Sequence, residues 1–352
     1  MKTHFAQGAE ECASSTKRSA EEVIRDLRQK IDETLEPLLP PGSRCALFNF
    51  PHHPNIGDSA IWLGQEDWLR RHRVEIAYVC DLWTYSPQRL REKLGSEGTI
   101  LLSGGGDVGD IWPLSQQFRE WVITEFPKHR IIQLPQSFHF NEEKNLLRAK
   151  SVFNRHPRFT LMARADYGAD FARREFQVPV LLCPDMALAL GPIPRPISPS
   201  AEVVWLSRSD IESKGKTTPT PHLPNVIVKD WLKEPRTKAR QVDRFISSAM
   251  IEFPKRLRGL SDLRRPLFRR IAQKRLREGC RLLSQGRMVI TDRLHGHIVS
   301  LLLGIPHILL DNSYGKLSRF YKTWTQDCKL TTWADSSDEA IRLARATIAK
   351  GQ

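Results

Sequence analysis

The strongest constraint on this chain's fold is an alternation along its length. Short apolar runs recur at 45–50, 74–80, 99–103, 130–134, 159–163 and 180–183. Between them, 58–72, 114–126 and 166–176 carry apolar residues at helical spacing. A further amphipathic stretch at 20–39 places Val23, Ile24, Leu27, Ile31 and Leu35 on one face. Runs that alternate with helices predict βαβ units around a parallel sheet. The pattern halts at 191–200, GPIPRPISPS, where four of ten residues are proline. Such a segment neither joins a sheet ladder nor continues a helix, and reads as a stiff linker. The pattern then restarts, with strands expected at 203–206, 226–228, 288–291 and 307–310. Helices are expected at 239–251, 266–285, 295–303 and 316–326. The expected architecture is α/β, with two Rossmann-like domains, 1–195 and 196–352, facing a central cleft. In such folds ligands bind beyond the carboxyl ends of strands.

Charge and cysteine usage narrow the chemistry. Lys and Arg number 54 against 40 Asp and Glu, a net +14, which favours anionic partners. The six cysteines are dispersed, with no C-x-x-C pair. A disulfide scaffold and a structural zinc site are therefore not expected. The longest apolar stretch, 298–310, is broken by Gly304, Pro306 and His307 and is too short to span a bilayer. The first residues lack the apolar core of a secretory signal. A cytoplasmic location is expected.

Five loops after strands are the candidate sites. In PHHPNIGDSA (51–60), Asn55, Gly57 and Asp58 form a tight turn; Asp58 or Ser59 is placed to cap the next helix, or Asp58 to face the cleft. In LLSGGGDVGDIW (101–112), three glycines let backbone approach a ligand or a neighbouring strand. This is neither a Walker A loop nor a dinucleotide fingerprint. Asp107 and Trp112 there suit a sugar, one by hydrogen bonding and one by stacking. QLPQSFHF (133–140) offers Gln136 and His139, the histidine reading as structural. LMARADYGADF (161–171) puts Arg164 at the mouth of the sheet, as an anion clamp or a salt bridge. MVITDRLHGHIVSLLLGIP (288–306) delivers Thr291 and Asp292 as caps, with Arg293, His295 and His297 in the first helical turn. A helix start favours anions through its free amides. Lys316 and Arg319 follow the next strand.

The ordered set N-x-G-D (55–58), G-G-G-D (104–107), L-P-Q-S (134–137), A-R-x-D (163–166), P-D-M-A-L (184–188), D-R-L-H (292–295) and Y-G-K (314–316) resembles the polysaccharide pyruvyl transferases over about residues 45–330. The resemblance implies two Rossmann-like domains of the glycosyltransferase-B type. It also implies transfer of pyruvate from phosphoenolpyruvate to a sugar as a ketal, with release of phosphate. Arg293, His295, Lys316 and Arg164 match the family's phosphoenolpyruvate-binding positions. The family often has an acid directly after the arginine of the middle motif; here Ala165 follows Arg164 and Asp166 comes one place later.

The residues suit that chemistry. Phosphoenolpyruvate is a small trianion, so several cations should converge on it as donor substrate, and neither a metal nor another cofactor is needed. An acid must protonate its methylene carbon and a base must serve the attacking hydroxyls. His295 is the candidate acid. Asp58 or Asp107 would orient or deprotonate the acceptor, with Asn55, Trp112 and Gln136 completing the sugar site in the first domain. The phosphoenolpyruvate side falls to the second. The expected acceptor is a sugar of an exopolysaccharide or cell-envelope glycan precursor, on a lipid-linked oligosaccharide.

Residues 255–281 hold eleven Lys or Arg against Asp262 and Glu278. This basic amphipathic segment reads either as a solvated helix face or as a peripheral contact with the anionic inner membrane face. No nucleic-acid recognition module accompanies it, so nucleic acid is not an expected partner. Two other functions compete. One is a nucleotide-sugar-dependent glycosyltransferase of the same fold, which would need a ribose-binding acid. The other is a non-catalytic protein that binds anionic glycans.

Overall fold

The structure, a computed structural model, describes residues 17–51, 53–207, 223–231, 264–311 and 315–350. Its first half runs α1 (Ala20–Leu35), β1 (Arg44–Phe48), α2 (Ile56–Arg71), β2 (Glu75–Val79), α3 (Pro87–Leu94), β3 (Thr99–Leu102) and β4 (Gly105–Gly109). It continues through α4 (Pro113–Glu125), β5 (Arg130–His139), α5 (Glu143–Phe153), β6 (Phe159–Ala163), α6 (Asp166–Glu175) and β7 (Val180–Leu182). A short 3-10 turn, Met186–Leu190, closes this half. The second half contains β8 (Ala201–Leu206), β9 (Val226–Lys229), α7 (Arg264–Ser284), β10 (Gly286–Thr291), α8 (Leu294–Leu302) and β11 (His307–Leu309). It ends with α9 (Lys316–Phe320), a π turn (Tyr321–Thr325), β12 (Thr331–Trp333) and α10 (Ser337–Lys350).

Two sheets result. One is ordered β2-β1-β3-β5-β6-β7 with β4 paired to β5, the other β12-β11-β10-β8-β9. Adjacent strands are parallel throughout, as in Leu47 with Leu101 and Ile290 with Trp205. Parallel strands need crossovers that cover both faces, which is why these strands read as unbroken apolar runs. All ten expected strands are present. β4 and β12 were not expected, nor were α3, α5 and α10. The expected helix at 239–251 lies outside the described residues. The one expected at 316–326 is α-helical only to Phe320 before it loosens into the π turn.

A single apolar cluster joins the two sheets. It includes Ile24 and Ile31 of α1, Trp62 of α2, Met186, and Phe268 and Ile298 from the second half. α2 is buried nearly all round. At Gly64 a Cβ would lie 1.9 Å from the Met186 carbonyl oxygen, so only glycine lets the 3-10 turn seat there. The proline-rich segment has no regular structure but is pinned to the second half. The Ile193 amide donates to the Leu302 carbonyl at 2.7 Å, and Arg195 donates to the Ser284 and Gly286 carbonyls.

Helix α7 corrects the picture of a solvated basic face. Glu66 of α2 is fully buried and accepts from Arg265 at 3.2 Å and Arg269 at 3.1 Å, and Arg269 also reaches Asp67 at 2.8 Å. Arg264 is buried as well, while Arg270, Arg277 and Arg281 remain exposed. Burial pushes the Glu66 carboxyl up, and the two guanidiniums oppose that push. Part of the positive charge of this segment therefore fastens the two halves together. Residues 255–263 lie outside the described residues.

A buried histidine pair stitches α8 to β11. His307 Nδ1 is 2.7 Å from the Ile305 carbonyl, so it carries the proton and leaves Nε2 as acceptor. His297 Nδ1 donates to that nitrogen at 2.7 Å, and its Nε2 accepts from the Thr325 hydroxyl at 2.9 Å. Burial lowers the pKa of both, with His307 pushed down to about 4. Both are neutral in the fold but bind protons near pH 6.5 when unfolded. Their contribution to stability is full above that pH and is lost as pH falls towards 4. The unfolding free energy should therefore drop across this window, and His307→Gln should remove part of the slope. Denaturant titrations at stepped pH values check both outcomes.

Candidate active site

The site is organised by Asp185, which follows β7 and caps the 3-10 turn. One carboxylate oxygen accepts the Ala187 amide at 2.9 Å. The other accepts Arg164 Nη1 at 2.8 Å and lies 3.4 Å from His295 Nε2. Asp185 is fully buried. Burial raises its pKa, but His295, Arg164 and the Ala187 amide more than reverse this, holding the carboxyl well below the usual carboxylate range. His295 Nε2 makes this 3.4 Å approach without a hydrogen bond among the described residues.

Arg164 leaves β6 with its guanidinium held on two sides. Nε donates to the Ser137 hydroxyl at 2.8 Å, and Nη1 is taken by Asp185. Nη2 points over Gly106, where a Cβ would lie 2.9 Å from it and 3.3 Å from Lys316 Nζ. Lys316 also donates to the Gly106 carbonyl at 3.4 Å. Two cations, one from each half, thus converge above a position that only glycine keeps clear. Gly104 in turn abuts the Pro135 carbonyl, where a Cβ would come within 2.8 Å. The glycine run serves both readings of it: close packing on the neighbouring strand and an open floor below the cations.

His295 stands in the first turn of α8, against the start of α2. A Cβ on Gly57 would fall 2.2 Å from its Nδ1. Asn55 caps α2 by accepting the Gly57 amide at 3.0 Å, so neither Asp58 nor Ser59 is the cap. Asp58 is a quarter exposed and lies 3.4 Å from His53. Arg293 is the N-cap of α8, and Thr291 accepts its amide at 3.0 Å. Its guanidinium is buried, 2.6 Å from Asp230 and beside the Trp231 ring. Arg164, Lys316 and His295 thus gather around Asp185 and Gly106, whereas Arg293 is anchored on Asp230 after β9.

The expected sugar side is a tighter network than its spacing suggests. Asp107 Oδ1 accepts Arg119 Nη2 at 2.6 Å and Gln136 Nε2 at 2.7 Å. Gln136 accepts the Asp107 amide at 3.1 Å and donates to the Ser103 carbonyl. Arg119 is buried and also bonds Gln133 and Gln116. Asp107 keeps a partly exposed edge. Trp112 is about half exposed at the start of α4. His139 bonds Asn141 at 2.9 Å, as befits a structural histidine. Arg119 and Asp230 were not singled out from the sequence, and Asp185 and Ser137 stood within the P-D-M-A-L and L-P-Q-S motifs without an assigned role. Asp185 had a signal: an acid directly after a strand and a proline, ahead of a turn.

Gly57→Ala should drive the His295 ring from its seat and destabilise the fold by about 1–3 kcal/mol, the usual cost of overpacking. Denaturant unfolding and the ring proton resonances of the histidines measure the two effects.

Comparison with known proteins identifies the family of the chain. The polysaccharide pyruvyl transferase family matches residues 55–314. Pyruvyl transferase 1 of Schizosaccharomyces pombe is 32% identical over 322 residues, covering 85% of this chain and 75% of that protein. The putative pyruvyl transferase EpsO of Bacillus subtilis is 28% identical over 301 residues, covering 85% of this chain and 91% of that protein. A solved structure of an uncharacterised Klebsiella pneumoniae protein superposes with a TM-score of 0.56 at 17% identity, over 88% of this chain and 99% of that one, a likeness of fold. Its matched span contains the Asn55–Asp58 turn, the glycine floor, Arg164, Asp185 and His295, and the chain belongs to the polysaccharide pyruvyl transferase family.

Proposed function

We propose that the protein transfers pyruvate from phosphoenolpyruvate to two hydroxyls of one sugar as a ketal, releasing phosphate. The observation that carries this reading is the convergence of Arg164 Nη2 and Lys316 Nζ over Gly106, with His295 held beside the same Asp185. Fixed cations in a largely buried setting suit a compact donor with a carboxylate and a phosphate. Arg164 and Asp185 belong to the first half, His295 and Lys316 to the second. The donor therefore sits across the two halves, and the acceptor lies towards Asp58, Asp107 and Trp112.

The reaction places one demand on each group. His295 delivers a proton to the methylene carbon, which becomes a methyl group, and the cationic C2 is attacked by the first sugar hydroxyl. Arg164 and Lys316 hold the anionic groups and stabilise phosphate as it leaves with the C2–O bond. The second hydroxyl attacks C2 and closes the ring. Two hydroxyl protons are lost overall, one balancing the new methyl hydrogen and one accompanying phosphate. Asp58, in contact with His53, serves as base, and Asp107 orients the sugar from its exposed edge. Asp185 keeps Arg164 and His295 in register.

We place this reaction in the cytoplasm, on a lipid-linked precursor of an exopolysaccharide or envelope glycan. No helix among the described residues is long and apolar enough to cross a membrane. A peripheral membrane contact would fall to the exposed Arg270, Arg277 and Arg281 of α7.

In deuterium oxide, phosphoenolpyruvate and a galactoside should yield phosphate and ketal in equal amounts, the ketal methyl carrying one deuterium. Arg164→Lys should weaken donor binding by about 1.5–3 kcal/mol, since a point charge cannot replace a braced fork. His295→Ala should depress turnover more than donor binding. Proton NMR and calorimetry read these outcomes; phosphate release without a ketal, or transfer from a nucleotide sugar instead, would contradict the assignment.

A further inference from the structure

A cavity opens beside the proposed donor site. Its walls include Gln136, Ser137 and His139 of β5, Tyr167 of α6, and Lys316 and Arg319 of α9. Gly106, Asp185 and His295 do not line it, and no carboxylate is among its lining residues. Lys316 stands between the two spaces. The cavity thus shares Lys316 with the donor site and extends from it away from Gly106, Asp185 and His295.

Arg319 gives the cavity its character. Its guanidinium carbon lies 3.4 Å from the centroid of the Tyr167 ring, a stacked cation–π contact. Among the described residues it makes no ion pair. The other arginines near the cleft are neutralised: Arg164 by Asp185, Arg293 by Asp230, and Arg269 by Glu66 and Asp67. Stacking fixes the plane of Arg319 and leaves the in-plane N–H edge for an acceptor oxygen. The start of α6 lies on the same side, since Ala165, Tyr167 and Gly168 also line the cavity, although the Asp166 amide there is taken by the Thr323 hydroxyl at 3.2 Å. A positive, acid-free cavity of this kind selects an anionic oxygen group.

We propose that this cavity is a second anion subsite, which takes a phosphate or carboxylate carried by the acceptor, so that the preferred acceptor is a charged glycan. The acceptor assignment rests on the pyruvyl-transfer reading; the anion site does not. The donor's own anionic groups are met at Arg164, Lys316 and His295, on the other side of Lys316. A charge on the acceptor, held at Arg319, would fix the sugar's orientation relative to the reacting C2.

Calorimetric titration of inorganic phosphate, with phosphoenolpyruvate at saturation to fill the donor site, tests the subsite directly. Wild-type protein should still bind phosphate; Arg319→Gln should weaken it roughly tenfold or more, and Arg319→Lys should recover part of that loss. In turnover, a sugar phosphate and a hexuronic acid distinguish the two anionic sources. At least one should be preferred over a neutral hexoside, and that preference should fall about as far in Arg319→Gln. Full displacement of phosphate by phosphoenolpyruvate, or an effect of Arg319→Gln confined to the KM for phosphoenolpyruvate, would overturn the proposal. So would indifference of both readouts to the substitution. If no ketal forms with any acceptor, the pyruvyl-transfer reading fails, while Arg319-dependent phosphate binding still decides whether the anion subsite exists.

Discussion

One buried carboxylate holds this site together. Asp185 has no exposed surface, so its charge persists only because Arg164, His295 and the Ala187 amide surround it. An unpaired buried carboxylate would be neutralised or expelled, and an unpaired buried guanidinium would be as costly. Each therefore requires the other. Because Arg164 and Asp185 follow strands of the first half and His295 lies on α8 of the second, the same contact also sets the spacing of the two halves. Ion pairs of this kind are poor sources of net stability, and their better use is to fix geometry. Here that geometry is the distance between the Arg164 guanidinium and the His295 imidazole.

Backbone proximity does the rest of the positioning. Gly57 lets the start of α2 touch the His295 ring, Gly64 lets the same helix seat on the Met186 carbonyl, and Gly106 keeps the floor beneath Arg164 and Lys316 clear. At each, a single methyl would force a neighbour to move. On the far side of α2, the fully buried Glu66 is bridged by Arg265 and Arg269, and Phe50 stacks on Phe268 at 4.0 Å. α2 thus acts as a spacer, with one end touching the His295 ring and its flank bolted to α7.

Much of the fold was legible because parallel strands buried on both faces leave unbroken apolar runs. β4 escaped for the opposite reason: Gly105, Gly106, Asp107 and Gly109 offer no apolar signal, and its place beside β5 is set by tertiary packing. The anion residues Arg164, His295 and Lys316 stood out by falling just after strands. His297 was grouped with them, but two residues along a helix turn it by roughly 200°, away from the cleft and into the core against His307. Arg293 reads the same in sequence whether it faces a ligand or Asp230, and only the fold brings Asp230 to it. The inward turn of Arg265 and Arg269 was invisible for the same reason, since Glu66 lies 199 and 203 residues away along the chain. Charge runs show where cations are, and long-range partners decide what they do.

If Asp185 makes Arg164 and His295 a single unit, their substitutions must not act independently. The direct measurement is a double-mutant cycle on phosphoenolpyruvate affinity, with Arg164→Lys and His295→Gln singly and together, in the native and Asp185→Asn backgrounds. The account predicts strong coupling in the native background, because either change alone already releases the other side chain, and near-additivity once Asp185 is replaced. Additive effects in the native background, or coupling that survives Asp185→Asn, would contradict it.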